Sequence, residues 1–388
     1  MSKMRFAIFF SVVFIIYGAI NYYIVRSGLR VLPDASPLRL WLIFGVTFLA
    51  LSFVAGRFLE RVSVNWFSSL LIWIGSFWLA IMVYLLLQIL VIDLLRLLNA
   101  LTGIFPDLLT NDPKQTGRIT AIVVISVAVG VVGLGHLNTW FPVIRHLNIA
   151  VDKPGGKLER LHIAAMSDIH LGTTIEKRHM SGIVKRINAL NPDIILIPGD
   201  IIDEDIAPVL HSNVGILLKD LHARYGVYAS TGNHEYIGGI REAKSYLRDH
   251  RVQLLNDTAI LIEDSFYVAG REDLTINQFT DKKRKSLEQI LQEVDTTKPV
   301  ILLDHQPFGL DQAAKHGVDL QLSGHTHHGQ LWPFNYITSL IYEVSWGYLK
   351  KGKTHYYVSS GVGGWGPPIR TVNRPEILNI ILTFQKPE

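Results

Sequence analysis

Residues able to bind metal ions are gathered in five short segments between residues 167 and 329. The segments read SDIHLG (167–172), GDIIDED (199–205), GNHEY (232–236), LLDHQP (302–307) and SGHTHHG (323–329). Their mixture of imidazole, carboxylate and amide groups suits Mn, Fe, Zn or Co better than Ca or Mg. The chain has no cysteine, so any metal must be held by nitrogen and oxygen. The candidate ligands are Asp168, His170, Asp200, Asn233, His305, His325 and His327.

Two details of these segments indicate a site for two divalent ions. Asp168 and His170 are separated by one residue, which places both side chains on the same side of an extended chain. A carboxylate such as Asp200 can bridge two ions about 3.5–4 Å apart, as in two-metal hydrolytic sites. We therefore expect a dinuclear centre.

Each of the five segments closes an apolar run that is typical of a buried strand. Helical patterns lie between several of the runs, for example at 175–190 and 239–251. This mixture predicts an α/β fold of layered sheets with helices outside. Because the carboxyl ends of strands in such folds gather at one edge, we expect the five segments to meet there. The predicted strands are 161–167, 193–199, 226–232, 299–305 and 319–325, with later ones at 258–264, 265–273, 354–361 and 376–384.

The first 140 residues predict a membrane domain. Apolar runs of about 20 residues span a bilayer core as helices, because lipid offers backbone groups no partner outside their own segment. A cleavable signal peptide is not indicated, since the first run is too long and three more follow. Residues 93–109 form either an interfacial helix or a solvated extension of the third span. We predict a transmembrane domain at 1–140, with spans 6–25, 38–56, 66–92 and 119–140, and a soluble domain at 146–388.

Charge is distributed unevenly between these two parts. Residues 1–140 hold ten Lys and Arg but five Asp and Glu, so the basic pI arises there and the soluble part is near neutral. The soluble part shows no cluster of positive charge, which argues against a nucleic-acid surface. The positive-inside bias of the loops slightly favours an extracytoplasmic soluble domain. Counting the basic residues just after the fourth span reverses this preference, so the orientation stays open.

The order of motifs, D-x-H, G-D-x-x-D, G-N-H-E, H and G-H-x-H, resembles the calcineurin-like metallophosphoesterase superfamily over residues 160–330. The tail YVSSGVGGWGPPIRTVNRPEILNIILT (357–383) is similar to the end of its membrane-anchored bacterial branch. That branch is related to UDP-diacylglucosamine pyrophosphatases and cell-wall-associated phosphoesterases. The resemblance implies a four-layer αββα sandwich, an attachment to a bacterial cell membrane and a hydrolase with two metal ions.

Carried over to this sequence, the resemblance implies a role for each motif residue. One ion takes Asp168, His170, Asp200 and His327, and the other takes Asp200, Asn233, His305 and His325. A hydroxide that bridges the two ions attacks phosphorus in line. His234 carries no metal, is oriented by Asp203, and protonates the leaving oxygen or stabilises the developing charge. Every ligand position is filled, so the resemblance implies an active enzyme.

Other residues near the motifs have a structural alternative beside a functional one. Arg370 either grips a phosphate or makes a structural contact. Alternation along an extended turn would point His328 away from His327, which leaves His328 a weaker candidate for touching the substrate. Glu235 is expected to cap the helix that follows it. The aromatic stretch at 329–337 either meets the membrane surface or an acyl chain, or packs beneath its loop.

Together these observations predict an integral membrane phosphohydrolase with two divalent ions, Mn favoured. Tethering near lipid headgroups favours a lipid-linked or headgroup phosphodiester or pyrophosphate, with membrane lipids as partners. Two alternatives stay open: an anchored phosphodiesterase that acts on soluble nucleotides, and a regulatory membrane protein that binds metal without turnover. The intact His234 and Asp203 argue against the second alternative.

Overall fold

The computed structural model describes residues 3–105 and 112–385. The chain divides into two compact units, Met1–His136 and Leu137–Glu388. The first unit is helical, and the second contains two β-sheets with helices. The predicted fold class, apolar helices followed by an α/β sandwich, is confirmed.

Four long apolar helices form the first unit and lead into the second. By length and composition, each of these four helices of the described chain can cross a membrane. Helix α3 continues through residues 93–102, so this part of the 93–109 segment extends the third helix; residues 106–109 lie outside the described residues. The helices are α1 (Lys3–Leu29), α2 (Leu38–Val62), α3 (Trp66–Thr102) and α4 (Pro113–Thr139).

Glycines allow α2 and α3 to pack closely. A Cβ atom added at Gly75 of α3 would lie 2.2 Å from the backbone nitrogen of Phe53 in α2. A Cβ atom at Gly56 of α2 would lie 2.7 Å from the backbone nitrogen of Ile72 in α3. Lipid tails are as apolar as the side chains, so the hydrophobic effect contributes little to the association of membrane helices. Van der Waals packing, made possible by close approach at small residues, stabilises such pairs instead.

The second unit contains two six-stranded sheets. Its strands are β1 (Val143–Pro154), β2 (Arg160–Ala165), β3 (Ile194–Pro198), β4 (Val227–Ser230), β5 (Gln253–Leu254), β6 (Thr258–Ile262), β7 (Phe266–Gly270), β8 (Val300–Leu303), β9 (Leu320–Ser323), β10 (Gly347–Lys351), β11 (Thr354–Val358) and β12 (Glu376–Gln385). The strand orders are β1-β12-β2-β3-β4-β5 and β10-β11-β9-β8-β7-β6. Strands β2 to β5 run parallel to one another, as do β7, β8, β9 and β11. Parallel neighbours end at the same edge, which brings the segments after β2, β3 and β4, and those after β8 and β9, to common edges.

The two sheets face each other and helices cover their outer faces. Leu196 of the first sheet and Phe266 of the second belong to the same buried apolar cluster. Ile183 packs outside the first sheet and Leu287 outside the second, which completes the predicted αββα layers. The helices of this unit are α5 (Lys177–Ala189), α6 (Ala207–Ser212), α7 (Asn233–Gly238), α8 (Ile240–Asp249), α9 (Ile276–Phe279), α10 (Leu287–Leu291), α11 (Asp311–Lys315) and α12 (Phe334–Ile341), with 3₁₀ turns at Val214–Asp220 and His327–Gly329.

A leucine in place of Gly75 should destabilise the first unit. The obstacle is backbone rather than the end of a flexible side chain, so α2 and α3 must separate, and overpacking of this kind costs roughly 1–3 kcal/mol. We expect Gly75→Leu to lower the melting temperature of the full-length protein in detergent. The matched control is Gly45→Leu in α2, where an added Cβ meets nothing within 4 Å. Equal melting temperatures for the two variants would contradict this packing.

Candidate metal centre

One group of predicted ligands lies where β2 and β9 end. Asp168 and His170 follow β2, and His327 follows β9. The Nε2 atoms of His170 and His327 are 3.0 Å apart, and His327 Nε2 lies 3.4 Å from Asp168 Oδ1. All three side chains are buried. Two imidazole nitrogens and a carboxylate oxygen therefore converge on one point, as the ligands of a single cation do.

A second group lies where β3, β4, β8 and β9 end. His305 Nε2 lies 3.1 Å from Asp200 Oδ2 and 3.2 Å from Asn233 Oδ1. His325 Nδ1 lies 2.8 Å from the same Asn233 oxygen. These four residues come from four different segments, two from each sheet. The centre is thus assembled across both sheets of the sandwich.

Asp200 lies between the two groups. Its Oδ2 atom is 3.1 Å from His305 Nε2 of the second group and 3.9 Å from His170 Nε2 of the first. Its Oδ1 atom accepts a hydrogen bond from the backbone N–H of His234 at 2.9 Å. Burial acts to raise the pKa of the Asp200 carboxyl, but the positive charges of His305 and His234 hold it well below its usual range. An ionised carboxylate in this position is suited to bridge two cations.

The histidines of the second group offer ring nitrogens that could bind a metal. His305 Nδ1 lies 2.8 Å from the carbonyl oxygen of Pro198. An N–H at Nδ1 donates there, as is usual for metal-binding histidines. Burial acts to lower the pKa of His305, but the charge of Asp200 raises it well above its usual range, so Nε2 also carries a proton, which a metal ion at that atom would displace. Burial, together with the charge of His305, lowers the pKa of His325 to about 3, so its ring is neutral near pH 7. The donor set therefore fits divalent metal ions.

Most of the carboxylate and imidazole ligands have a left-handed backbone. The angle φ is 52° at Asp168, His170 and Asp200, 73° at His325 and 45° at His327. Non-glycine residues rarely adopt this conformation, and it is concentrated at functional sites. The expectation that Asp168 and His170 share one side of an extended chain was wrong: the two side chains reach one site because the backbone coils after β2.

Glycines in the motifs make room for the carboxylates. A Cβ atom at Gly324 would lie 2.2 Å from Asp168 Oδ2, and one at Gly232 would lie 2.1 Å from Asp200 Oδ1. Any larger residue at these positions would push the segments after β9 and β4 away from the carboxylates. The glycine that precedes His325 is thus a requirement of the close packing between the two sheets.

His234 and Asp203 form a pair beside the first group. His234 Nδ1 lies 3.2 Å from Asp203 Oδ1, and the same oxygen lies 3.7 Å from His170 Nδ1. Burial acts to lower the pKa of His234. The charge of Asp200 and the hydrogen bond and charge of Asp203 outweigh that effect and raise the pKa to about 9. The ring is therefore protonated near neutral pH and can donate a proton.

Comparisons with known proteins agree with this arrangement. Residues 161–329 match the Calcineurin-like phosphoesterase family. An uncharacterized metallophosphoesterase of Campylobacter jejuni is 30% identical over 99% of this chain and 100% of its own length. A transmembrane protein with metallophosphoesterase domain from Danio rerio is 32% identical over 92% of this chain and 83% of its own. The chain belongs to the calcineurin-like phosphoesterase family.

This membership makes the protein a phosphoric ester hydrolase, as the motifs predicted. The four apolar helices and the name of the Danio rerio relative indicate a membrane protein. A Helicobacter pylori metallophosphoesterase is 34% identical over 61% of this chain, and the chain spans 62% of the length of that relative. The assignment to one bacterial branch, and that of each ligand to one ion, stay predictions.

Glu235 makes hydrogen bonds to the segment 199–205, which carries Asp200 and is called the bridging-ligand loop below. Its carboxylate accepts the backbone N–H of Gly232 at 2.7 Å, so Glu235 caps the start of α7, the helix that contains it, rather than the following helix as expected. It also accepts the N–H groups of Asp200, Ile201 and Ile202, at 3.2, 2.7 and 2.9 Å. One carboxylate thus joins the segment after β3 to the segment after β4. The sequence predicted a capping role for Glu235 but not the three bonds to residues 200–202, because these residues are distant in the chain.

Arg370 lies beside the first group and is fully buried. Its Nη2 atom lies 3.2 Å from His327 Nδ1 and donates to the carbonyl of Gly363 at 2.6 Å. Its Nη1 atom donates to Asn373 Oδ1 at 3.2 Å. A guanidinium enclosed in this way is placed to position His327 rather than to meet a phosphate from solvent. Substrate binding by Arg370 stays a prediction.

His328 points away from both groups of ligands. Its Nδ1 atom lies 2.9 Å from Ser345 Oγ, and its ring lies against that of Trp346. The reason differs from the predicted alternation, since His328 has a φ of 48° and sits in a 3₁₀ turn rather than an extended one. Substrate binding by His328 also stays a prediction.

Two residues at the rim of the site were not singled out from the sequence. Gln330 donates to the carbonyls of Trp365 and Pro367 and accepts from the N–H of Trp365. Trp365 is half exposed, and its ring centroid lies 6.3 Å from that of His234. Gln330 thereby holds an aromatic surface next to the proposed proton donor. The signal in the sequence is weak: a lone tryptophan in a glycine-rich turn.

Removing the Glu235 carboxylate should loosen the bridging-ligand loop. Glu235→Ala leaves buried N–H groups without partners, and each costs about 1–3 kcal/mol. We expect a lower melting temperature and a weaker affinity for Mn²⁺ in the full-length protein, measured by calorimetric titration. The control is Glu242→Ala, since Glu242 is an exposed carboxylate in the first turn of α8. A Glu235→Ala variant with the stability and metal affinity of the control would contradict this role.

Proposed function

We propose that the protein is a membrane-bound metal-dependent phosphodiesterase or pyrophosphatase that acts on a lipid-linked or headgroup phosphate. The observation that carries the proposal is one arrangement: two groups of metal ligands meet at Asp200, beside a protonated His234 paired with Asp203. Hydrolysis of a phosphate ester needs an activated nucleophile and a proton for the leaving oxygen. The two groups of metal ligands offer a place for the nucleophile, and His234 offers a place for the proton.

The proposed cofactors are two divalent ions of Mn, Fe, Zn or Co, which the mixed nitrogen and oxygen donors suit better than Ca or Mg, and Mn is the ion we favour. Bound ions supply Lewis acidity and lower the pKa of coordinated water. One set of residues to hold them is Asp168, His170, Asp200 and His327, and the other is Asp200, Asn233, His305 and His325. Asp200 serves both sets.

The role of His234 is to hold a proton for the leaving oxygen. Its Nδ1 atom faces Asp203, so the ring is fixed in orientation and the Nε2–H remains as the donor toward the substrate. Asp203 is a positioning residue in this proposal, because it acts on the substrate only through the imidazole. Burial opposes the protonated ring, but the charges of Asp200 and Asp203 favour it and so raise the pKa of His234.

The lipid-linked substrate and the location follow from the tether. Four apolar helices of the same chain can cross a membrane, and phosphate headgroups are concentrated at a membrane surface. We place the protein in a bacterial cell membrane with the catalytic unit outside, because the loop charges slightly favour that side. A reporter enzyme fused to the C-terminus of the full-length protein, active on one side of the membrane alone, tests this placement.

Replacing His234 should separate catalysis from metal binding. We expect His234→Asn to lower kcat for an aryl phosphodiester by about 10²–10⁴-fold while the protein keeps its metal, because the ring supplies a proton rather than a ligand. Asp200→Asn should lose metal as well as activity. The measurements are Mn-dependent hydrolysis and metal content of the full-length protein in detergent.

The matched control is His222→Asn, which changes an exposed histidine whose ring contacts the backbone of Asp220. It should retain full activity. Wild-type protein that carries two ions per chain and hydrolyses no ester would contradict the enzyme assignment and favour a regulatory metal-binding protein.

The substrate class is tested by comparing phosphates in lipid with phosphates in solution. We expect kcat/KM for a lipid-linked diester or pyrophosphate in mixed micelles to exceed that for soluble nucleotides, since the tether concentrates the site at lipid surfaces. Equal or higher values for nucleotides would favour the anchored nucleotide phosphodiesterase instead. Release of inorganic phosphate or of the free alcohol measures both reactions.

A further inference from the structure

Helix α12 presents its apolar side chains to solvent. None of its eight residues, all of which the structure describes, is buried. Leu340 is 88% exposed, Tyr336 62%, Ile341 58% and Ile337 52%. Residues 336 and 340, and 337 and 341, are four apart, so these side chains share one face of the helix. A surface helix ordinarily turns such a face inward.

Two of the three polar residues of α12 lie on its protein side, and the third, Ser339, is exposed. Asn335 and Thr338 are half-buried, which is the reverse of the usual arrangement. The surrounding sequence, GQLWPFNYITSLIY (329–342), contains no Asp, Glu, Lys or Arg. Trp332, just before the helix, is half exposed. The predicted alternative that this aromatic stretch packs beneath its loop is not what the structure shows.

Helix α12 is fixed to the turn that carries the last metal ligands. A Cβ atom at Gly329 would lie 2.4 Å from the backbone nitrogen of Asn335, so the turn and the start of the helix are in close contact. At the other end, Ser339 Oγ lies 3.2 Å from Ser345 Oγ, which in turn lies 2.9 Å from His328 Nδ1. The apolar face is therefore held in a fixed relation to His327.

We propose that α12 is an interfacial membrane-binding helix, which inserts its Tyr336, Ile337, Leu340 and Ile341 face into the lipid–water boundary and holds the metal centre at the level of phosphate headgroups. A helix of this kind lies in the plane of the interface with its apolar face about 5–10 Å into the headgroup and acyl boundary. Trp332 and Tyr336 are of the types enriched at that depth.

The bilayer is favoured over a protein partner as the occupant because the chain is already tethered to one. Four helices of the described chain are able to cross a membrane, so lipid is present in the surroundings of this protein without capture from solution. An apolar face close to lipid is covered at little entropic cost, whereas a free protein partner must be captured from solution. The consequence for the substrate rests on the proposed function, but the lipid contact itself does not require turnover.

The contact is tested with single cysteines, because the natural chain has none. Leu340→Cys and Leu261→Cys are each introduced into the full-length protein, labelled with a polarity-sensitive fluorophore and reconstituted into phosphatidylcholine–phosphatidylglycerol vesicles. Leu261 is the control: it is 41% exposed on β6, at the opposite edge of the second sheet from β10. Lipids that carry a nitroxide near the headgroup should quench the label at 340 by about two-fold or more, given a depth of 5–10 Å.

The label at 261 should keep its intensity in the same vesicles. Quenching at 340 no greater than at 261 would overturn the proposal. A blue-shifted label at 340 that lipid nitroxides do not quench would overturn it as well, because it would mean that protein covers the helix, either a second copy of this chain or another partner.

A second measurement tests the consequence for substrate. Ile337→Ser/Leu340→Ser should leave kcat/KM for a soluble aryl phosphodiester unchanged and lower it by about ten-fold for a vesicle-embedded phosphodiester, because the site is then less concentrated at the surface. Leu261→Ser is the matched control. An equal loss on both substrates would overturn the link to the membrane. Wild-type protein that hydrolyses neither substrate would refute the proposed function, and the quenching result would then decide the contact by itself.

Discussion

The structure of the second unit depends on the compensation of buried negative charge. Asp168 and Asp200 are both enclosed at the meeting point of two sheets, and a buried carboxylate is costly unless a positive charge faces it. Protonated His305 and His234 supply part of that charge around Asp200. Two divalent ions held between the same groups would supply it in full. Buried acids of this kind are unusual in a fold that binds no metal. A cation site requires them.

The arrangement of the strands in the two sheets brings these acids together. Strands β2, β3 and β4 of one sheet and β8 and β9 of the other end close to one another, so ligands far apart in the chain meet. The left-handed backbone at Asp200 is stabilised by Glu235, which accepts hydrogen bonds from three N–H groups of the bridging-ligand loop. Glycines at 232 and 324 let the loops touch. The strands therefore fix the positions of the loops that follow them, and buried hydrogen bonds fix the ligands within those loops.

The candidate ligands could be located from the sequence because each one follows a strongly apolar run within a few residues. An apolar run that ends in Asp, Asn or His marks both the strand and its functional end, so the strands from β2 to β4 and the position of Asp200 needed no knowledge of distant contacts. The coiled backbone at Asp168, the non-local bonds of Glu235 and the enclosure of Arg370 by Gly363 depend on tertiary contacts that no local pattern encodes. The exposure of α12 could not be predicted for a different reason: apolar residues at helical spacing read equally as core and as membrane contact.

The most direct test of the central claim is an electron paramagnetic resonance spectrum of the full-length protein loaded with Mn²⁺, with metal content measured on the same sample. A shared Asp200 between two ligand groups predicts two ions per chain about 3.5–4 Å apart, and therefore the spectrum of an exchange-coupled pair. One ion per chain with the six-line spectrum of an isolated Mn²⁺, or no tightly bound metal, would contradict the dinuclear centre.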